Sequence, residues 1–373
     1  MSGPGKRVLL VAGGGTGGHL MPALALAQTI READSTIEPV LIGTARGVER
    51  EILPARDFRY HLLPSEPIYR RRWWRNARWP LVLLNLRREL RRLFASEQPL
   101  AVLGTGGYAS APVVWYGQRR GLPTALQEQN AFPGLATRWL AGSARHLYLG
   151  LPEARQHLRP GRGTLVFDTG NPVARPDFAI RGRARERFGL TGERPVVLVT
   201  GGSQGSLAIN RTVARWLDRE GGTGRAGGQE VDLLWVTGKT SHGEFVRYQA
   251  PPRVQVFDFL DPLAEAYAVA HVAVSRAGAV TVAELCVWGL PSILIPLPSA
   301  AADHQTRNAE AMARAGAAWF LPQVDLTVER FTARIGSLIG DREVRIEMSV
   351  AANERGRPTA AVDIATHVLS LLP

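Results

Sequence analysis

The chain opens the same structural unit twice, half its length apart. Val8-Leu9-Leu10-Val11 is a short apolar run that meets GGGTGGH (13–19), after which Leu20, Ala23, Leu24 and Ala27 recur at helical spacing. VVLVTGGSQGS (196–206) followed by LAINRTVARWL repeats that order. Aligning Val8 with Val196 matches Val11 to Val199, and Gly13, Gly14 and Gly17 to Gly201, Gly202 and Gly205. A strand, a glycine turn and a helix, begun twice, predict two doubly wound α/β domains in tandem.

The segments between agree. PVLIGT (39–44), LAVLGTGG (100–107), PTALQEQ (123–129) and HLYLG (146–150) read as buried parallel strands in the first half. DLLWVTG (232–238), VQVFDF (254–259), VAVSRAG (272–278) and SILIPLP (292–298) do so in the second. The domains are expected at 1–170 and 171–345, with the turn-rich stretch after Gly170 as boundary and 346–373 as a last helix packing back on the first domain. GGTGRAGG (221–228) reads as a flexible surface loop. At 373 residues, two cores are needed. The single cysteine, Cys286, excludes an internal disulfide and a thiolate zinc cluster. No apolar stretch approaches the roughly 18–20 residues of a spanning helix, and no signal-peptide pattern opens the chain, so a soluble or peripheral protein is expected.

Gly13, Gly15 and Gly18 satisfy G-x-G-x-x-G, which admits a dinucleotide enzyme. Such a site wants an acid at the end of the second strand, where this chain has Gly43-Thr44-Ala45-Arg46; Arg46 leaves only a 2′-phosphate reading open. A third loop, Gly104-Thr105-Gly106-Gly107-Tyr108, also follows a strand. Several glycine turns at strand ends gather backbone N–H groups suited to phosphates and sugar hydroxyls. The most informative stretch is SRAGAVTVAE (275–284). Gly278 ends a strand, Ala279, Val280 and Thr281 begin a helix whose N–H groups can receive a diphosphate, and Glu284 lies one turn on, where it can accept from both hydroxyls of a ribose. As a lone residue, Glu284 reads better as an ordinary acid complementing the helix dipole. Followed by a buried strand and by Gln305 and Asn308 on one helical face, it points to a nucleotide-sugar site.

In order, GGGTGGHLMPALALA, GTGGYASAP, QEQNAFPGLATRWLA, GNPV, TGGSQG, SRAGAVTVAE and DHQTRNAEAMARAGAA span essentially the whole chain. This series resembles the MurG family of bacterial N-acetylglucosaminyltransferases. The resemblance implies a GT-B fold, two Rossmann-like parallel-sheet domains with the active site in the interdomain cleft. The donor, UDP-N-acetylglucosamine, would bind mainly the C-terminal domain, and the acceptor, lipid I, a muramoyl-pentapeptide on undecaprenyl diphosphate, the N-terminal one. The product would be lipid II of peptidoglycan. By matching motif, Glu284 would hold the ribose, the backbone of Ala279, Val280 and Thr281 the diphosphate, and Phe259 and Leu260 the uracil. Ser203 and Gln204 would lie near the donor phosphates, Gln305 (matched by its distance to Asn308) and Asn130 would face sugar hydroxyls, and Thr16, Gly17, Gly18, His19 and Tyr108 would belong to the acceptor side. Two departures stand out: GNPVA delays the expected arginine to Arg175, and Ala277 replaces a common serine.

Displacing UDP with inversion needs an activated hydroxyl and a stabilised leaving diphosphate. His19 can take a proton near neutral pH, or it can bind or cap; Glu128 is the other candidate base. No acid pair of the DxD kind and no histidine cluster calls for a metal, and no cofactor is expected. The net charge of +12 attracts nucleic acid and anionic lipid alike. A nucleic-acid-binding protein is the alternative of another class, but no helix-turn-helix, zinc or aromatic RNA-binding signature accompanies the charge, so nucleic acid is not expected as a partner. Residues 68–92 combine Arg70, Arg71, Arg72, Arg75, Arg87, Arg88, Arg91 and Arg92 with Trp73, Trp74, Trp79 and Leu81 to Leu84. Arginine with interfacial tryptophan suits an anionic membrane surface, and hence a peripheral position on the cytoplasmic face of the cell membrane; the same tryptophans would alternatively be buried packing residues.

Overall fold

Alternate residues of the first strand, β1 (Arg7–Ala12), serve opposite layers. Leu9 and Val11 face the helix Gly17–Ala33, whereas Val8, Leu10 and Ala12 face the helices Trp79–Glu97 and Gly107–Arg119. A strand covered on both faces has no polar side, which is why it reads as an unbroken apolar run. The computed structural model describes residues 7–66, 79–190, 192–202 and 204–373. The chain forms two units, one running to Val173 and resuming at Thr359, the other Ala174–Pro358.

In the first unit β1 is joined by β2 (Ile37–Thr44), β3 (Tyr60–Leu63), β4 (Ala101–Gly104), β5 (Thr124–Glu128), β6 (His146–Leu149) and β7 (Leu165–Phe167), in the order β3-β2-β1-β4-β5-β6-β7. Every pairing is parallel. The chain winds outward from β1, then returns to lay β4 on its other side, with Leu9 opposite Ala101. The second unit repeats the plan with β8 (Val196–Thr200), a small hairpin of β9 (Arg225–Ala226) and β10 (Gln229–Glu230), then β11 (Asp232–Val236), β12 (Val254–Phe257), β13 (Val272–Ser275), β14 (Ser292–Leu294) and β15 (Trp319–Phe320). Its main sheet runs β12-β11-β8-β13-β14-β15, all parallel. The duplicated strands β1 and β8 therefore occupy equivalent places, each at the point where strand order reverses. Crevices at that point, beyond the strand C-termini, are where doubly wound sheets take ligands.

Three expectations need correction. The units divide at Val173 rather than 170, and the return to the first unit begins at Thr359, not 346. The reason is packing: helix Arg342–Arg355 lies against the helix Ala279–Val287 of the second unit, and Met348 joins that unit's core. Only the helix Ala360–Leu369 crosses back, burying Ile364, Ala365 and Val368 with Leu20, Leu24 and Ala27. The 221–228 stretch is no free loop. Its Arg225 carbonyl accepts from the Trp216 indole, and Ala226 is buried in the core. Trp79 is half-buried at the start of its helix; Trp73, Trp74 and the arginines at 70, 71, 72 and 75 lie outside the described residues.

Since the last helix supplies part of the layer over helix Gly17–Ala33, Ile364→Ala should cost about 2–5 kcal/mol. Denaturant unfolding should detect it as a lower midpoint; an unchanged midpoint would mean the helix docks without carrying core.

Candidate active site

In the first unit the site is built from two glycine loops that meet backbone to backbone. Gly107 has φ of +77°, and a Cβ there would overlap the Gly14 carbonyl oxygen. A Cβ on Gly13 would overlap the Thr105 hydroxyl, which itself donates to the His19 carbonyl at 2.8 Å. Only glycine allows this approach. Beneath the first loop the buried carboxylate of Glu49 accepts from the Gly15 N–H, and the Tyr108 ring covers Gly15. Above the second, the His19 ring lies so close that a Cβ on Gly106 would stand 2.7 Å from its Cδ2. The His19 Nδ1 is 3.0 Å from the Thr16 hydroxyl. If that nitrogen carries the proton and donates to Thr16, Nε2 is the basic one. Thr16 and Gly18 are exposed, and Gly17 and Tyr108 are half-exposed, around this ring.

Glu128, the other candidate base, is held by its own loop. Its carboxylate is buried, and Oε1 accepts from the Asn130 N–H (3.1 Å) and side-chain amide (3.3 Å). Oε2 accepts from the Gly134 N–H (3.0 Å) and the Thr137 hydroxyl (2.6 Å). Four donors tie it to its own loop, so it shapes the 129–137 segment and positions Asn130.

In the second unit the helix Ala279–Val287 starts with extended backbone at Gly278 and has no side-chain cap, unlike Leu207–Arg219, which Ser206 caps. Its first turn, which carries Val280 and Thr281, is a positive end at the tip of β13. The adjoining TGGSQG turn is held by another glycine contact: a Cβ on Gly205, φ +73°, would overlap the Thr237 carbonyl oxygen. Gln204 is exposed on that turn, and Ser203 lies outside the described residues.

Arg276 was not singled out from the sequence. Its buried guanidinium donates to the Ile295 and Pro296 carbonyls (3.1 and 2.8 Å), the Ser206 hydroxyl and the Gln323 side chain (both 2.6 Å). It pins three strand ends together, and burial lowers its pKa to about 10. Its place between a strand and a glycine turn was the available signal. Asn308 is fully buried and donates to the Ala277 carbonyl at 3.1 Å, so it anchors the turn rather than facing a sugar. Gln305, three residues earlier, accepts from the Leu297 N–H at 2.9 Å. The helix bearing both follows Ala302 and Asp303, which hold φ of +51° and +53°, a strained entry typical of functional loops.

Phe259 is exposed with Lys239 Nζ 5.5 Å from its ring centre, and Leu260 is buried beside it. Arg175 donates to the Pro358 carbonyl at 3.2 Å. Arg46, the residue that favoured a 2′-phosphate, is paired with Glu66 at 3.0 Å. Glu284 accepts from the Tyr267 hydroxyl at 3.0 Å, and burial raises its carboxyl to about 7.

The N-terminal domain model of glycosyltransferase family 28 matches residues 9–149, and the C-terminal domain model of that family matches 196–364. A UDP-N-acetylglucosamine–N-acetylmuramyl-(pentapeptide) pyrophosphoryl-undecaprenol N-acetylglucosamine transferase of Salinibacter ruber is 37% identical over 370 residues, covering 97% of this chain and 96% of that protein. The enzyme of the same name from Syntrophotalea carbinolica is 38% identical, covering 95% and 96%. The chain belongs to this transferase family, within glycosyltransferase family 28. Among solved structures, Acinetobacter baumannii MurG aligns with a TM-score of 0.76 at 24% identity, covering 98% of this chain and 100% of that one. The fold is GT-B, as the family leads one to expect.

A carboxyl raised by burial binds its proton more tightly folded than unfolded, so Glu284 lowers stability as pH rises from its ordinary value of 4.5 through about 7. Glu284→Gln, which cannot ionise, should therefore raise the melting temperature at pH 8 and change it little near pH 4. Equal shifts at both pH values would show that the carboxyl is not strained by burial.

Proposed function

We propose that the chain transfers N-acetylglucosamine from UDP-N-acetylglucosamine to the C4 hydroxyl of the muramoyl sugar of lipid I, with inversion, giving lipid II for peptidoglycan synthesis. The full-length match to transferases of that name carries the reading. It is supported by a helix that starts at the tip of β13 and carries Glu284 one turn on, features that suit a nucleoside diphosphate.

On this reading the donor binds the second unit. Ala279, Val280 and Thr281 receive the diphosphate, Glu284 the ribose hydroxyls, Phe259 and Leu260 the uracil, and Gln305 the sugar hydroxyls. Ser203 and Gln204 flank the phosphates. Arg175 is kept by its main-chain bond to Pro358 at the edge of that unit. On the first unit Thr16, Gly17, Gly18, His19 and Tyr108 meet the acceptor. His19 Nε2 takes the proton of the acceptor hydroxyl as its oxygen attacks the anomeric carbon. The bond from that carbon to the phosphate oxygen breaks, and the helix end stabilises the negative charge that UDP carries away. The decisive experiment incubates the purified protein with UDP-N-acetylglucosamine and a short-chain lipid I analogue and seeks the disaccharide product by mass spectrometry; no product would sink the reading. His19→Ala should cut turnover about a hundredfold or more while leaving UDP affinity nearly intact. Lost UDP affinity with normal turnover at saturation would put His19 on the donor side.

The acceptor is lipid-borne, and a docking surface follows from helix Trp79–Glu97. One face buries Leu86, Leu90, Leu93 and Phe94, while Leu81 is 68% exposed and Leu83 and Leu84 are about half exposed. Arg87, Arg88, Arg91 and Arg92 are exposed on the same helix. Phe94 packs on Tyr116 of helix Gly107–Arg119, which exposes Trp115, and the adjoining helix Leu135–Leu140 exposes Trp139. Arginine beside exposed tryptophan and leucine is the chemistry of a peripheral contact with anionic lipid. Among the described residues no helix is long and apolar enough to cross a membrane. The contact would hold the protein on the cytoplasmic face. Replacing Arg87, Arg88 and Arg91 together by glutamate should release the protein from anionic vesicles at low salt and spare activity on a water-soluble acceptor analogue. Sedimentation with vesicles as before would move the docking surface elsewhere.

A further inference from the structure

We propose that Tyr267 is a positioning residue of the donor site: its hydroxyl holds one oxygen of Glu284 so that the other is presented, already oriented, to the two hydroxyls of the donor ribose. The proposal rests on the reading of Glu284 as the ribose acceptor.

Tyr267 lies on the short helix Ala264–Val269 and is 4% exposed. A phenol buried to that extent needs a partner for its hydroxyl, and its O–H donates to Glu284 Oε2 at 3.0 Å. Glu284 comes from a different helix, Ala279–Val287, so the bond joins two elements that flank β13. The ring also contacts Trp288, with centroids 6.3 Å apart, and Trp288 meets Phe178 edge-on. The aromatic packing fixes the phenol, and the phenol fixes the carboxylate.

The chemistry favours this division of labour. A free glutamate must give up rotamer freedom when it binds a diol, whereas one held by a rigid donor has given it up already. Burial and the nearby carboxylate push the Tyr267 hydroxyl well above 10, so it remains a donor throughout the neutral range. For Glu284 burial acts upward and the Tyr267 bond acts downward, leaving the carboxyl at about 7. Among the described residues Tyr267 is the titratable group that acts on this carboxyl. Arg355, from the helix packed on the other side, acts instead on Cys286. Ribose hydroxyls donate only to an ionised, properly turned carboxylate with full strength. Donor binding should then release a proton below about pH 7, and affinity should fall as pH drops through that value.

The test uses the full chain and UDP-N-acetylglucosamine, whose diphosphate is esterified at both ends and does not titrate near neutrality. Calorimetric titrations between pH 5.5 and 8.5, in two buffers of different ionisation heat, give affinity and protons released together. For the wild type, affinity should be flat above the midpoint and fall about tenfold per pH unit well below it, with up to one proton released. Tyr267→Phe should weaken binding about tenfold at pH 7, move the midpoint upward, and blunt the preference for the donor over its 2′-deoxyribose analogue. If Tyr267→Phe instead keeps the wild-type affinity and midpoint, or weakens donor and deoxy analogue equally with no shift in midpoint, Tyr267 is packing alone and the proposal falls. Glu284→Gln separates the two ideas. Wild-type affinity and pH profile in Glu284→Gln would overturn the ribose reading itself, whereas loss of both in Glu284→Gln with an unaffected Tyr267→Phe overturns only the role of the tyrosine.

Discussion

The structure depends on the contact of backbone with backbone at the strand ends. In the first unit Gly107 sits against the Gly14 carbonyl, and in the second Gly205 sits against that of Thr237. Each contact closes the space of one methyl group, the first between the loops of β1 and β4, where strand order reverses, and the second between the loops of β8 and β11. The consequence is positional. His19 is carried by the helix that follows the first loop and lies on the surface of the other, and so its ring is located by the main chain of Gly106 and Gly107 together with the Thr16 hydroxyl.

In each unit, taken by itself, buried polar groups fasten the loops. Arg276 spends its donors on Ile295, Pro296, Ser206 and Gln323, and Glu128 spends its acceptors on Asn130, Gly134 and Thr137. A buried charge with such partners is costly to break even where it contributes little net stability. Each therefore enforces one loop geometry. Glu284 is the contrast: with Tyr267 as its side-chain partner among the described residues, and with burial acting on it, its carboxyl is kept near the neutral range. A group left underserved by its own protein is the one with bonding capacity for a ligand.

Much of the fold and part of the site were legible in the residues. Apolar runs such as Val196–Val199 and Leu233–Val236 could be recognised because both faces of a parallel sheet are covered, and the glycine turns because no other residue fits them. The hairpin at 225–230 was missed since its glycines suggested freedom, whereas Trp216 needed the Arg225 carbonyl. The helix Arg342–Arg355 was placed with the wrong unit because amphipathic periodicity tells which face is buried but not against what.

By itself the sequence determined two doubly wound units, the positions of their glycine loops, and a helix start carrying Glu284, because period and turn chemistry act over a few neighbouring residues. Only the tertiary structure decided that Glu128 is consumed by its own loop, that Asn308 anchors the Ala277 turn, that Arg276 binds three strand ends, and that Tyr267 faces Glu284. Those are choices of partner between side chains brought together by the winding of the sheets. A hydrogen bond is decided by distance and direction in space, and a residue's neighbours along the chain carry no record of either.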